Sequence, residues 1–161
     1  MTPDQINLVQ TSFKSVAAIS EQAAELFYGR LFELDPSLRR LFKGNMKEQG
    51  KKLMATIGVA VSSLTNLEKI RPTVQKLGAA HWEYGVEEKD YDTVAQALLW
   101  TLAKGLGPAF TNEVKAAWTE TYVILAGIMK EAAHKRQFED ITKLILAQAL
   151  HRLPELSRTS A

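Results

Sequence analysis

The sequence predicts an all-α protein, and three observations carry that prediction. Apolar residues recur at helical spacing through most of the chain, as Ile6, Val9, Phe13 and Val16 do near its start. No segment of useful length alternates with period two, and no Asn-Gly or Asp-Gly pair marks a hairpin. Helix-starting and helix-ending residues stand between the apolar runs, and no internal repeat or low-complexity tract interrupts them.

The elements follow in order. Thr2, Pro3 and Gln5 form a capping-box signature for the first helix. Ser20 is the expected cap of a second, with Ala24, Phe27, Tyr28 and Leu31 inward and Phe32 beside them. Asp35-Pro36 ends that helix and starts a short segment carrying Leu38, Leu41 and Phe42, because proline disfavours helical geometry in the residue before it yet suits a first turn. The polar corner Lys43-Gly44-Asn45 leads to a long amphipathic helix with Met46, Leu53, Ile57, Ala60, Val61 and Leu64 inward. Gly50 lies near its start, where a close approach by another backbone would explain a residue that weakens a helix by ~1 kcal/mol relative to Ala. Asp90 is the expected cap of a helix presenting Tyr91, Val94, Leu98 and Leu102, closed by Gly107-Pro108. Thr111 opens the last helix of the body, with Val114, Trp118, Tyr122, Leu125 and Met129 on one side.

At 161 residues the chain fits one domain with a core large enough to need no staples, and it has no cysteine. The start MTPDQINLVQ lacks a basic region and an apolar core, and no apolar run approaches the ~20 residues of a membrane span. A cytoplasmic protein without a membrane anchor is the expectation. Net charge is +2 from 20 basic and 18 acidic residues, no footprint for nucleic acid or an anionic membrane. Up to Ala133 the charges cancel, so the whole excess belongs to the last 28 positions.

The stretch VQKLGAAHWEYGV carries the chemistry. Val74, Leu77, Gly78 and His81 share one helical face, so the imidazole points inward, and Gly85 supplies the left-handed end of the helix. The Leu77 carbonyl, one turn back, can accept from one ring nitrogen. The other nitrogen needs a partner. From this stretch alone, a metal ligand and a hydrogen-bonded core histidine both remain open.

Five features together resemble the globin family, in the form of single-domain bacterial haemoglobins and the haem half of flavohaemoglobins. They are FYGRLFELDPSLRRLF from Phe27 to Phe42, KEQGKKLM from Lys47, HWEYGV from His81, Tyr91 with Val94, and AAWTETY from Ala116 to Tyr122. The likeness covers roughly residues 3 to 133 and implies a three-over-three helical sandwich with an additional C-terminal helix. It divides the chain into a haem-binding domain, 1–133, and an extension, 134–161. It implies haem b with His81 as proximal iron ligand, Phe42 stacked on the porphyrin, and Leu53, Ile57, Val86, Val94 and Leu98 walling the pocket. Lys52 would reach a propionate, Tyr91 would lie on the proximal side, and Tyr28 with Gln49 and Leu53 would line the distal face.

The small ligands implied are O2, CO and NO. Reversible dioxygen binding for storage, delivery or sensing is the first reading. The second is oxidation of NO to nitrate, for which an external reductase is expected, since no reductase or dinucleotide-binding glycine pattern is present in the chain. A haem-free interaction module is the third, against which the joint presence of Tyr28, Gln49 and His81 argues.

Two features depart from the flavohaemoglobin pattern. That family pairs a Tyr with a Glu behind the proximal histidine, and the Glu position here is Ala133. The nearest carboxylate, Glu131, falls about 200° away round the helix. The second departure is the tail, where Phe138, Ile141, Ile145 and Ala149, flanked by Leu146, Leu150 and Leu153, form a stripe that Pro154 is expected to end. Its direction differs from the inner face of the preceding helix by roughly a third of a turn. Either the helix breaks near His134 to Gln137, or it runs on toward a second copy or a partner domain.

Overall fold

The computed structural model describes the backbone of residues 1–158 and side chains through Arg152. Six α-helices carry the architecture: α1 (Pro3–Ala17), α2 (Ser20–Leu34), α3 (Met46–Ser62), α4 (Leu67–Tyr84), α5 (Glu88–Leu106) and α6 (Asn112–Arg158). Single 3-10 turns, Pro36–Leu41 and Gly107–Ala109, sit after α2 and α5. There is no strand among the described residues, and no helix among them is long and apolar enough to cross a membrane.

Local chemistry sets most boundaries. The Thr2–Gln5 capping box is formed in both directions, and Asp35 accepts the Ser37 N–H to open the 3-10 turn. Asn45 caps α3 by accepting the Lys47 and Glu48 N–H groups, and Thr111 accepts the Val114 N–H at 3.2 Å to start α6. Two expected caps are displaced. Ile19 precedes α2 without a side-chain cap bond, so Ser20 is already helical. At α5 the cap is Glu87, in a reciprocal box whose other member is Asp90: the buried Asp90 carboxylate accepts the Glu87 N–H at 2.8 Å. A carboxylate three residues into a helix can take the same orphan N–H as one at its cap, and the sequence does not tell the two apart.

The helices stack as three over three, α1, α3 and α4 against α2, α5 and α6, with the largest interfaces where α4 meets α6 and α2 meets α5. Two glycines set the closest crossings. A Cβ on Gly50 would lie 2.9 Å from that of Ala24, so α2 and α3 touch there through small residues. A Cβ on Gly78 would sit 2.8 Å from the Met129 carbonyl carbon and nearer still to its oxygen. There α4 rests directly on the backbone of α6.

The core divides along these contacts. One part gathers Val9, Val16, Val61, Leu102 and Trp118, where the Trp118 ring N–H donates to the Ser12 hydroxyl at 2.9 Å and that hydroxyl donates to the Leu8 carbonyl at 2.7 Å. A second gathers Phe27, Tyr28, Leu31, Leu38 and Ala97, and a third Ile70, Val74 and Ile128. The C-terminal segment is helical and continuous with α6, with no break from His134 to Gln137, and the helix passes Pro154 to reach Arg158. The stripe therefore keeps its own direction, and every described side chain from Gln137 to Arg152 is exposed.

Candidate functional site

His81 is held by the way α4 ends. Gly85, at φ 94°, adopts the left-handed conformation open to glycine, which turns its N–H to the Trp82 carbonyl and the Val86 N–H to the His81 carbonyl at 3.0 Å. This pair of bonds fixes the backbone turn that carries the imidazole. On the side chain, Nδ1 lies 2.7 Å from the Leu77 carbonyl, which can only accept, so the ring proton sits on Nδ1 and the lone pair on Nε2. Burial pushes the imidazole pKa below its ordinary value, and the Leu77 carbonyl offsets part of that shift. A neutral ring is thus favoured, and no hydrogen bond from the described residues reaches Nε2.

Tyr28, on α2, sits in an aromatic cage. Its ring lies 5.2 Å from Phe27, 5.1 Å from Phe42 and 6.1 Å from Phe32. Burial raises the phenol pKa to about 12, which keeps the hydroxyl a proton donor at neutral pH. That donor is weakly used, reaching the backbone carbonyl of Gln49 at 3.4 Å. The Gln49 amide instead donates to the Lys43 carbonyl at 3.3 Å. Tyr28 and Gln49 therefore meet through side chain and backbone, whereas the residue pattern pointed to two facing side chains.

Phe42, Leu53, Val94 and Leu98 pack with Tyr28 in one cluster. Ile57 belongs to the neighbouring one, and with Phe27, Leu53 and Leu98 it lines an apolar cavity of about 20 Å³. Val86 is half-buried and bonded through its N–H to the turn of His81. Lys52 is exposed on the outer side of α3. Tyr91 is buried, its backbone carbonyl accepts the Tyr122 hydroxyl, and its own hydroxyl is buried without a partner. Ala133 is buried and Glu131 exposed, so no carboxylate meets the Tyr91 hydroxyl.

Residue types alone did not single out Phe27 and Phe32, which the structure makes part of the Tyr28 cage, or Leu41, whose side chain approaches Gly85 and ties the 3-10 turn to the end of α4. Their signal was only an apolar position on a helical face.

These residues fit a haem. One imidazole presents an open lone pair, and among the described residues no group of three His, Asp or Glu side chains converges as a metal site. A single imidazole suits an iron that arrives with its remaining ligands in a macrocycle. The apolar, aromatic walls at Phe42, Leu53, Val94 and Leu98 suit the face of such a ring.

Comparison with known proteins points the same way. Residues 25–129 match the sequence profile of the globin family. The chain is 30% identical to zebrafish (Danio rerio) neuroglobin over 147 residues, 80% of this chain and 92% of that protein. It is 29% identical to the flavohemoprotein of Xylella fastidiosa over 133 residues, 81% of this chain but 33% of that protein, so it spans about a third of the flavohemoprotein's length. Among solved structures, an engineered carbene transferase from Rhodothermus marinus shares its fold at a TM-score of 0.75 and 24% identity, with 91% of this chain and 99% of the other covered. Likeness to a fish neuroglobin and a bacterial flavohemoprotein at nearly equal identity does not single out the bacterial branch. The chain belongs to the globin family.

Proposed function

We propose that this globin holds haem b through His81 and binds dioxygen reversibly beneath Tyr28. The observation that carries the reading is the imidazole with Nδ1 committed to Leu77 and Nε2 open. When bound, haem supplies an iron that takes up diatomic ligands. His81 donates the Nε2 lone pair, and the Leu77 carbonyl increases that nitrogen's basicity. Phe42 would pack against the haem, Leu53, Ile57, Val86, Val94 and Leu98 would exclude water, and the exposed Lys52 would pair with a propionate.

On the distal side Tyr28 donates its hydroxyl proton to a polar ligand atom. The long bond to the Gln49 carbonyl is the one it gives up, at small cost. The Gln49 amide, bonded to the Lys43 carbonyl at a half-buried position, would reinforce Tyr28 only by exchanging that bond for one directed inward. Tyr91 closes the proximal side without a carboxylate behind it, which favours ligand binding over oxidative cleavage chemistry.

The second reading is oxidation of NO to nitrate. Similarity to a flavohemoprotein favours it, and a reductase would return the electron consumed in each turnover. Both readings place the protein in the cytoplasm, and both leave the exposed tail to bind a second copy or a partner domain.

One absorption spectrum of the purified protein, reduced and then exposed to CO, is the test. A five-coordinate ferrous spectrum that shifts on CO addition, and is lost in His81→Ala, is the expected result. Protein that takes up no haem supports the interaction-module reading instead.

A further inference from the structure

The stripe on α6 has one end without a partner and one end with a receptacle. Beyond Arg136 the helix leaves the body, and Phe138, Ile141 and Ile145 stand 71%, 48% and 60% exposed. At about 100° per residue, these three positions share a direction with Ala116, Val123 and Gly127 farther back on the same helix. That earlier stretch forms the outer face of α6. It carries a shallow, apolar-walled groove running past Ala116 and Val123, Val123 is 62% exposed, and nothing lies within 4 Å of where a Gly127 Cβ would stand. One helix face therefore holds large apolar side chains at one end and, at the other, small residues with open space bordered by Lys115 and Glu120.

We propose that two copies of this chain pair antiparallel along α6, each laying its tail in the outer-face groove of the other. The proposal rests on the reading that the tail is an interaction segment, and it is independent of haem. The helix runs on without a break and every described side chain from Gln137 to Arg152 is exposed, so the tail does not pack on its own body. A second copy fits by position. Val123 and Ile141 lie nine residues either side of Ala132, so a two-fold axis there sets each Val123 against the Ile141 of the other copy and each Phe138 close to Gly127. It fits by charge, since Glu131 meets Lys135 of the other copy near that axis, and both are exposed.

It also fits by area. Three side chains, Phe138, Ile141 and Ile145, expose on the order of 300 Å² of apolar surface per tail. Two reciprocal contacts, each covering a tail and an equal area of groove, bury roughly 1,200 Å², the lower bound of a stable specific interface.

The absence of cysteine makes the register directly testable. In the full-length protein, a Glu131→Cys variant should form a disulfide-linked dimer with itself under mild oxidation. A Val123→Cys/Ile141→Cys double variant should cross-link between copies, and Ile145→Cys alone should not. In sedimentation velocity the unmodified protein should run at twice the chain mass. Val123→Arg in the groove and Ile145→Asp on the tail should each weaken association at least tenfold, with unchanged helical circular dichroism and haem spectrum. A monomer at every concentration overturns the pairing. Efficient self-cross-linking of Ile145→Cys, or a dimer indifferent to Val123→Arg, overturns it too by showing tail on tail.

Discussion

Adding one methyl group at Gly78 tests whether the closeness of α4 and α6 holds His81 in place. The Cβ of Gly78→Ala would meet the Met129 Cα at 2.5 Å, whereas ordinary contact begins at 3.4 Å, so the helices must separate by about 1 Å. The obstacle is helix backbone, which cannot rotate aside. A gap of that size forfeits roughly a quarter to a half of the dispersion energy of each contact it opens. The contacts at risk are those of Ile70, Val74 and Ile128 with Leu67, Ile124 and Leu125. Overpacking against a rigid neighbour belongs at or above the top of the ~1–3 kcal/mol range, and the better helix propensity of Ala returns ~1 kcal/mol.

The expected net loss is therefore ~2–3 kcal/mol, read by urea denaturation of the apoprotein, with Tm lower by roughly 4–12 °C. Because Gly78 lies one turn before His81, haem loss to an acceptor apoprotein should also accelerate. Gly29→Ala is the internal control, since an added Cβ there meets nothing within 4 Å and should stabilise by ~0.5–1 kcal/mol. A Gly78→Ala protein as stable as Gly29→Ala, with unchanged haem retention, would refute the reasoning.

Tyr28→Phe should speed O2 dissociation roughly ten- to hundredfold in stopped flow, from a lost bond of ~1.5–3 kcal/mol to a charge-bearing acceptor, while CO dissociation stays nearly constant. Equal changes for both gases would show the hydroxyl to be mere packing. The same variant has an alkaline signature in the apoprotein. The Tyr28 phenol, ordinarily near 10, is raised to about 12 in the fold, so the stability tied to its proton is complete below pH 10 and disappears as pH climbs to 12. Tyr28→Phe should lose less stability across that window, and denaturation curves of the two proteins that fall in parallel there would contradict the assignment. Ser12→Ala should destabilise by ~1–3 kcal/mol in chemical denaturation by orphaning the buried Trp118 ring N–H, and a loss below ~0.5 kcal/mol would mean that donor finds another acceptor.

Local rules sufficed wherever a feature depends on residues a few positions apart. Thr2 with Gln5, the boundary at Asp35-Pro36, Gly85 at the end of α4, and the Leu77 carbonyl one turn before His81 were all legible, because local chain geometry fixes such neighbours without reference to the rest of the chain. The same rules misplaced the start of α5, where Glu87 and Asp90 each satisfy one half of a single box. The third-of-a-turn offset of the tail was likewise written in periodicity alone, since an uninterrupted helix preserves phase over 47 residues.

Only the tertiary structure decided which of these local features meet. Tyr28 and Gln49 lie on different helices, and the packing of α2 on α3 brings them together as hydroxyl against backbone carbonyl. In the sequence Gly50 read as the site of a close backbone approach and Gly78 only as a position on the His81 face. Packing gave Gly50 a side-chain neighbour in Ala24 and Gly78 a backbone neighbour in Met129, so their tolerance to substitution differs. The Tyr91 hydroxyl looked like half of a proximal pair, and burial beside Ala133 left it without a partner. In each case the periodicity of a helix specifies the direction of a side chain about its own axis, while distance, crossing angle and the chemistry of what it meets are set by contacts far apart in sequence.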